Sequence, residues 1–223
     1  MPNAGQIRDD ILELTKSGGR MAPSEGHTEA RRYLVTRLQE IGVHSYNSIG
    51  HEIPYKRYGT EFANVVAIVP GSDKDLDPVV LGSHYDTCGD QPGADDNAAA
   101  VAITLDIVER FSKTKPERSI IFAFFDGEEP PYFLGPAMGS IRFFEDQLSG
   151  HVHCAIVMDL VGHDVPVLGM EDLVFLTGTE SDPALADVVI ASEPESGIRT
   201  VPTLNSYVGD MSDNHIFRVN DVP

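Results

Sequence analysis

From Val79 onward the chain alternates between two kinds of segment, and this rhythm restricts the fold more than any other feature. Residues 79–81 are a short apolar run. Residues 98–111 are apolar nearly all round and read as a buried helix. Residues 119–125 (SIIFAFF) read as a buried strand, and residues 136–148 as a helix with Pro136 in its first turn. Residues 154–158 and 173–177 are further strands. Asp182 and Pro183 open another helix, as N-cap and first helical residue. Strands alternating with helices imply an α/β domain around a mostly parallel sheet. Upstream, Ile7, Ile11 and Leu14 recur at helical spacing, as do Ala30, Leu34, Leu38 and Ile41 on a helix stopped by Gly42. Residues 62–69 read as a strand closed by Pro70 and Gly71, and SDKDLDP as a turn or loop.

Each strand in the middle of the chain ends in residues able to bind a metal. GSHYDT supplies His84 and Asp86, two apart and so on the same side of an extended backbone. PGADDN supplies Asp95 and Asp96 just before the buried helix, FFDGEE supplies Glu128 and Glu129, and VMDL supplies Asp159. In open α/β sheets ligands bind outside the carboxyl ends of the strands, so these groups should meet in one crevice. Carboxylates crowded there must either take up protons or take up cations. One imidazole with several carboxylates suits Zn²⁺, with Mn²⁺ or Co²⁺ as alternatives. Adjacent glutamates can then divide the work. One holds metal, and the other sits within hydrogen-bond reach of a water that must lose a proton.

Together GSHYDT, PGADDNAAA, FAFFDGEEPPYFLGPAMGS and VMDLVG resemble the co-catalytic zinc aminopeptidases. That metallopeptidase family, numbered twenty-eight, also contains glutamate carboxypeptidases and glutaminyl cyclases. The resemblance covers about residues 27–223, and the two prolines after the glutamate pair are like those of a bacterial branch. It implies a three-layer α/β/α sandwich with a mixed, mostly parallel central sheet, as one metallopeptidase catalytic domain over residues 1–223. By the resemblance His84 and Asp159 hold one Zn²⁺, Glu129 holds a second, and Asp96 bridges the two. Glu128 is then the general base and Asp86 orients His84. A cis peptide bond is expected between Asp96 and Asn97. The substrate would be a peptide or aminoacyl compound. A single-zinc glutaminyl-cyclase reaction and a metal-free peptidase-like binding domain are the alternatives.

Two departures from the family pattern stand out. The fifth ligand of the family, a histidine near the C-terminus, has no counterpart and is expected beyond Pro223. The family's Ser-Asp-His segment appears as MSDNHIF, with Asn214 in the usual histidine place. The chain is therefore expected to lack a closing strand, a helix and the last ligand; His215 is read chiefly as an exposed loop residue, with the part of substitute ligand as the alternative. His27, His44, His51, His151, His153 and His163 have no convergent context in the sequence. Tyr207 and Asp210 are read chiefly as loop packing, with a place in the substrate pocket as the alternative.

Charge and cysteine content narrow the partners. Sixteen Lys and Arg stand against 35 Asp and Glu, a formal charge of −19. That balance argues against nucleic acid and anionic membrane surfaces as partners. Cys88 and Cys154 are the only cysteines and lack a CxxC spacing, so neither a disulfide framework nor a zinc knuckle is expected. The N-terminus, MPNAGQIRDD, has no apolar core, and no run of about 18 apolar residues occurs. The expected location is cytoplasmic.

Overall fold

The central strands carry apolar side chains on both faces, so each must be covered twice. In the computed structural model, which describes residues 2–164, 167–178, 183–203 and 211–223, that covering comes from helices on either side. The strands are β1 (His44–Ser45), β2 (Glu52–Arg57), β3 (Thr60–Val69), β4 (Val79–His84), β5 (Ile120–Phe125) and β6 (Cys154–Val157). They form one six-stranded sheet in the order β1-β3-β5-β4-β6, with β2 also pairing β3. β4 is parallel to both β5 and β6, while β3 runs antiparallel to β5 and to β1 and β2. β3 alone therefore runs against the rest of this mixed sheet.

Period-two alternation divides the core in two. Val65, Ala67, Leu81, Phe122 and Phe124 face one side, where they meet α1 (Ala4–Thr15), α2 (Glu25–Ile41) and α3 (Ala100–Ser112) through Leu14, Leu34, Leu38, Val101 and Leu105. Val66, Val80, Ile121 and Phe125 face the other. That side is covered by α4 (Gly139–Arg142), a π turn (Phe143–Gln147) that continues it, and the C-terminal helix Asn214–Arg218. Each fully buried Leu or Phe contributes roughly 1.5–3 kcal/mol. Side chains start the long helices. Asn3 accepts from the Gln6 N–H at 3.2 Å, and Ser24 accepts from the His27 N–H at 3.0 Å. Leu173–Leu176 (β7) and Arg199–Pro202 (β8) pair in parallel as a separate small sheet, with α5 (Pro183–Ile190) and α6 (Glu193–Ser196) between them in the chain. The C-terminal helix is accordingly α7. After α7 the chain returns to β6, the last strand of the sheet order, where the Pro223 carbonyl accepts the Ala155 N–H at 2.8 Å. No helix among the described residues is long and apolar enough to cross a membrane.

The helix expected over residues 136–148 starts late. Pro136 lies in a run of turns, Met138 is extended, and the helix begins only at Gly139. The Gly139 N–H donates to the Asp126 carbonyl at 2.6 Å, which pins the chain to the end of β5 and delays the helix. A Cβ on Gly139 would lie 2.4–2.5 Å from the Asp126 backbone, so only glycine fits. β1, β2 and β8 are additional to the expected strands. β2 alternates exposed and half-buried residues, and its charges and Pro54 mask the pattern. Asp182, Tyr207 and Asp210 lie outside the described residues.

Candidate active site

Parallel pairing of β5, β4 and β6 puts their carboxyl ends at one edge of the sheet. His84 is the last residue of β4 and pairs with Phe125, the last of β5. One ladder bond continues beyond each register, from the Tyr85 N–H to the Phe125 carbonyl and from the Met158 N–H to the Gly82 carbonyl. Three chain segments thus leave the sheet side by side. Asp96 reaches the same place from the irregular turn Ala94–Ala99, where its backbone is non-helical and the Asp96–Asn97 peptide is cis, as expected. The Asn97 side chain donates to the Met158 carbonyl at 3.0 Å, and the Gly162 N–H donates to Asp95 at 2.8 Å. Both bonds tie the Asp96 turn to the Asp159 segment.

His84, Asp96 and Asp159 converge. One ligand atom from each lies within 4.8 Å of the others. His84 Nε2 is 3.2 Å from Asp96 Oδ1, 3.6 Å from Asp159 Oδ1 and 3.9 Å from Glu128 Oε2. The imidazole is fully buried, yet neither ring nitrogen completes a hydrogen bond among the described residues, and Asp159 Oδ1 is in the same position. Buried polar atoms are normally paired. An orphaned imidazole nitrogen and carboxylate oxygens aimed at one point form a donor set that a divalent cation would satisfy.

One expected ligand and one alternative candidate stand apart from this trio. Glu129 is buried beside it but is not one of the three converging ligands. His215, read chiefly as an exposed loop residue, instead lies half-buried on α7, and it does not join the trio as the alternative ligand either. Its helix packs against the side of the sheet, whereas the ligands gather at the strand ends. The histidine expected beyond Pro223 lies outside the chain. Pro223 itself bonds to Ala155, near the start of β6, so it sits at the opposite end of that strand from Asp159.

Asp86 does more than flank His84. Its Oδ1 lies 3.5 Å from His84 Nδ1 and accepts the Glu128 N–H at 3.1 Å, while Oδ2 accepts the Glu129 N–H at 3.0 Å. One buried carboxylate therefore faces the imidazole and fixes the backbone of the glutamate pair. Nothing in HxD spacing betrays this bond across 42 residues.

Asp126, the residue that leads into the glutamate loop, is fully buried and holds a second network. His27 Nε2 lies 2.9 Å from its Oδ1, while the Tyr85 hydroxyl and the Ala63 N–H each donate to its Oδ2 at 2.8 Å. His27 stacks on Tyr85 with ring centroids 5.5 Å apart. His27, which the sequence left without a context, thus supports the site from α2, and only the folded arrangement brings it to Asp126. Asp213 is the other acid not foreseen, fully buried near Glu128.

Charge crowding is visible in the proton affinities set by the protein groups alone. Burial, with Asp213, Asp86 and Asp159 nearby, pushes Glu128 up to about 9. Burial and Asp96 push Glu129 up to about 7, and burial pushes Asp213 to about 7. Burial opposes a charged His84, but Asp159, Asp86 and Asp96 outweigh it and raise His84 well above its ordinary value. Burial likewise works against ionised Asp86 and Asp159, yet His84 holds both below the usual carboxylate range. A bound dication would reverse this logic, favouring a neutral imidazole and ionised acids.

Residues 64–223 match the model of Peptidase family M28. The chain belongs to that family. Among curated relatives, a probable zinc metalloprotease of Pyrenophora teres f. teres is 32% identical over 192 residues, covering 74% of this chain and 40% of the relative. A vacuolar membrane protease of Vanderwaltozyma polyspora is 26% identical over 181 residues, covering 81% of this chain and 18% of the relative. This M28 chain thus spans less than half the length of either. Its fold is shared with a glutaminyl cyclase of Porphyromonas gingivalis (TM-score 0.78, 16% identity, 99% of this chain and 81% of that one). It is shared also with a leucine aminopeptidase precursor of Bacteroides thetaiotaomicron (TM-score 0.73, 18% identity, 98% and 81%). The α/β architecture with helices on both faces of a mixed sheet is therefore that of the zinc exopeptidases.

Proposed function

We propose that this chain carries the catalytic centre of a zinc-dependent exopeptidase, specifically an aminopeptidase acting on peptide or aminoacyl substrates. The carrying observation is the meeting of His84, Asp96 and Asp159 at one point, with Glu128 3.9 Å from the same imidazole nitrogen. His84 and Asp159 would hold one Zn²⁺, Glu129 a second, and Asp96 would serve both. Zinc there supplies Lewis-acid polarisation of the scissile carbonyl and lowers the pKa of water.

The chain's own residues do the rest. Glu128 Oε2 takes a proton from the attacking water and returns it to the departing amine. Burial raises its proton affinity, which suits the second half of that exchange. Asp86 holds the Glu128 N–H and so fixes where that carboxylate starts. The Asp126 network holds the preceding residues still. Surplus carboxylates at the crevice would attract a substrate α-ammonium.

The test pairs metal analysis with a panel of aminoacyl amides, using the wild type and Glu128→Gln. The wild type should bind zinc and release amino acids. The variant should keep its zinc while kcat falls by about 10²–10⁴. Full activity in the variant would remove Glu128 from its role. Cyclisation of N-terminal glutaminyl peptides without amide hydrolysis would favour the cyclase chemistry instead.

A further inference from the structure

Arg20 is fully buried, the largest such side chain among the described residues, and it lies outside the residues 64–223 matched to the family. No carboxylate lies within ion-pair distance of it among the described residues. Its partners are main-chain carbonyls. Nε donates to Tyr85 O at 2.7 Å and Nη2 to Gly93 O at 3.0 Å; Nη1 donates to Pro92 O and, at 3.3 Å, to Leu14 O. Its own N–H donates to Thr87 Oγ1 at 2.6 Å.

These bonds bracket one loop. Tyr85 follows His84 directly, Asp86 comes next, and Pro92 and Gly93 close the loop just before Asp96. The planar guanidinium therefore grips both ends of the connection between two expected zinc ligands. Gly93 makes the grip possible. It has φ +56°, and a Cβ there would lie 2.1 Å from Asp96 O and 3.1 Å from Arg20 Nη2. Tyr85 extends the brace, since its hydroxyl reaches Asp126 ahead of the glutamate pair. Burial lowers the guanidinium to about 10, offset by Asp86, Asp96 and Glu129, so Arg20 remains a cation behind the acidic crevice.

We propose that Arg20 is a positioning residue for the metal centre, clamping the loop from Tyr85 to Gly93 so that His84, Asp86 and Asp96 stand ready to bind zinc. This rests on the metallopeptidase reading above. Lysine keeps the charge and cannot span the two ends of the loop.

The experiment compares wild type, Arg20→Lys and Arg20→Met for zinc affinity by chelator competition, for the visible spectrum of the Co²⁺-loaded site, and for melting temperature. Folded Arg20→Lys should bind zinc at least about tenfold more weakly and show an altered Co²⁺ spectrum, as removal of ligand-orienting partners generally does. Zinc affinity within about twofold of wild type, with an unchanged spectrum and only a lowered melting temperature, would overturn the proposal and leave Arg20 merely structural. If the Arg20 variants do not fold, Thr87→Val carries the test, because it cuts the main-chain tether at constant shape. Weaker zinc binding there is expected, and unchanged binding overturns the clamp. A wild type that binds no zinc would overturn the metal centre as well as the clamp, whereas normal wild-type binding with normal Arg20→Lys binding overturns the clamp alone.

Discussion

Glu128 shows how one side chain can be costly to the fold and useful to the chemistry. Burial and its acidic neighbours hold it at about 9, and Glu129 and Asp213 at about 7, all above their ordinary values. Groups raised in the folded state bind more protons folded than unfolded across the interval between the two values. Their stabilisation is present at low pH and is lost as pH rises through the folded values. His84, raised above its ordinary value, acts in the same direction. Asp86 and Asp159, which are lowered, lose their contribution only at pH below the ordinary carboxylate range. Chelator-treated protein should therefore melt at progressively lower temperature as pH rises from about 5 to about 9. Glu128→Gln should flatten that slope, and calorimetry across the pH range checks it. A melting temperature that rises over the same range would contradict the assigned crowding.

At the scale of elements, the site depends on how loops leave the sheet. The motifs at the strand ends were legible because each is local, a run of apolar residues followed at once by a ligand. Parallel strands then bring distant motifs together by topology alone, so His84, Asp96 and Asp159 could be grouped in advance. What supports those motifs was not legible. The bonds from Asp86 to the glutamate loop, from His27 to Asp126 and from Arg20 to Gly93 join residues 42 to 99 apart, and none leaves a periodic trace. The start of the helix expected over 136–148 failed for a related reason. Its helical pattern holds from Gly139 to Gln147, but a bond from the Gly139 N–H to Asp126 overrides the local preference over residues 136–138. Gly139→Ala should cost stability, on the order of 1–3 kcal/mol, because its Cβ would press on Asn64 Oδ1 and the Asp126 backbone. Denaturant unfolding measures that loss, and an unchanged midpoint would mean that the loop can yield.

Across the whole molecule, two apolar layers fix a mixed sheet rigidly enough to confine repelling acids at one edge. α1, α2 and α3 seal one face, α4 and α7 the other, and the segment before α2 reaches under the site through Arg20. The fold class followed from the strand–helix rhythm, whereas β2 and the small β7–β8 sheet carry patterns too short or too polar to declare their pairing. Membership of Peptidase family M28 agrees with that architecture. The most direct test is anomalous diffraction at the zinc edge from crystals equilibrated with zinc. The predicted result is a peak bounded by His84 Nε2, Asp96 and Asp159, at coordination distances of about 2.0–2.2 Å. Ordered side chains at that point with no anomalous peak among them, or zinc bound only elsewhere on the acidic surface, would contradict it.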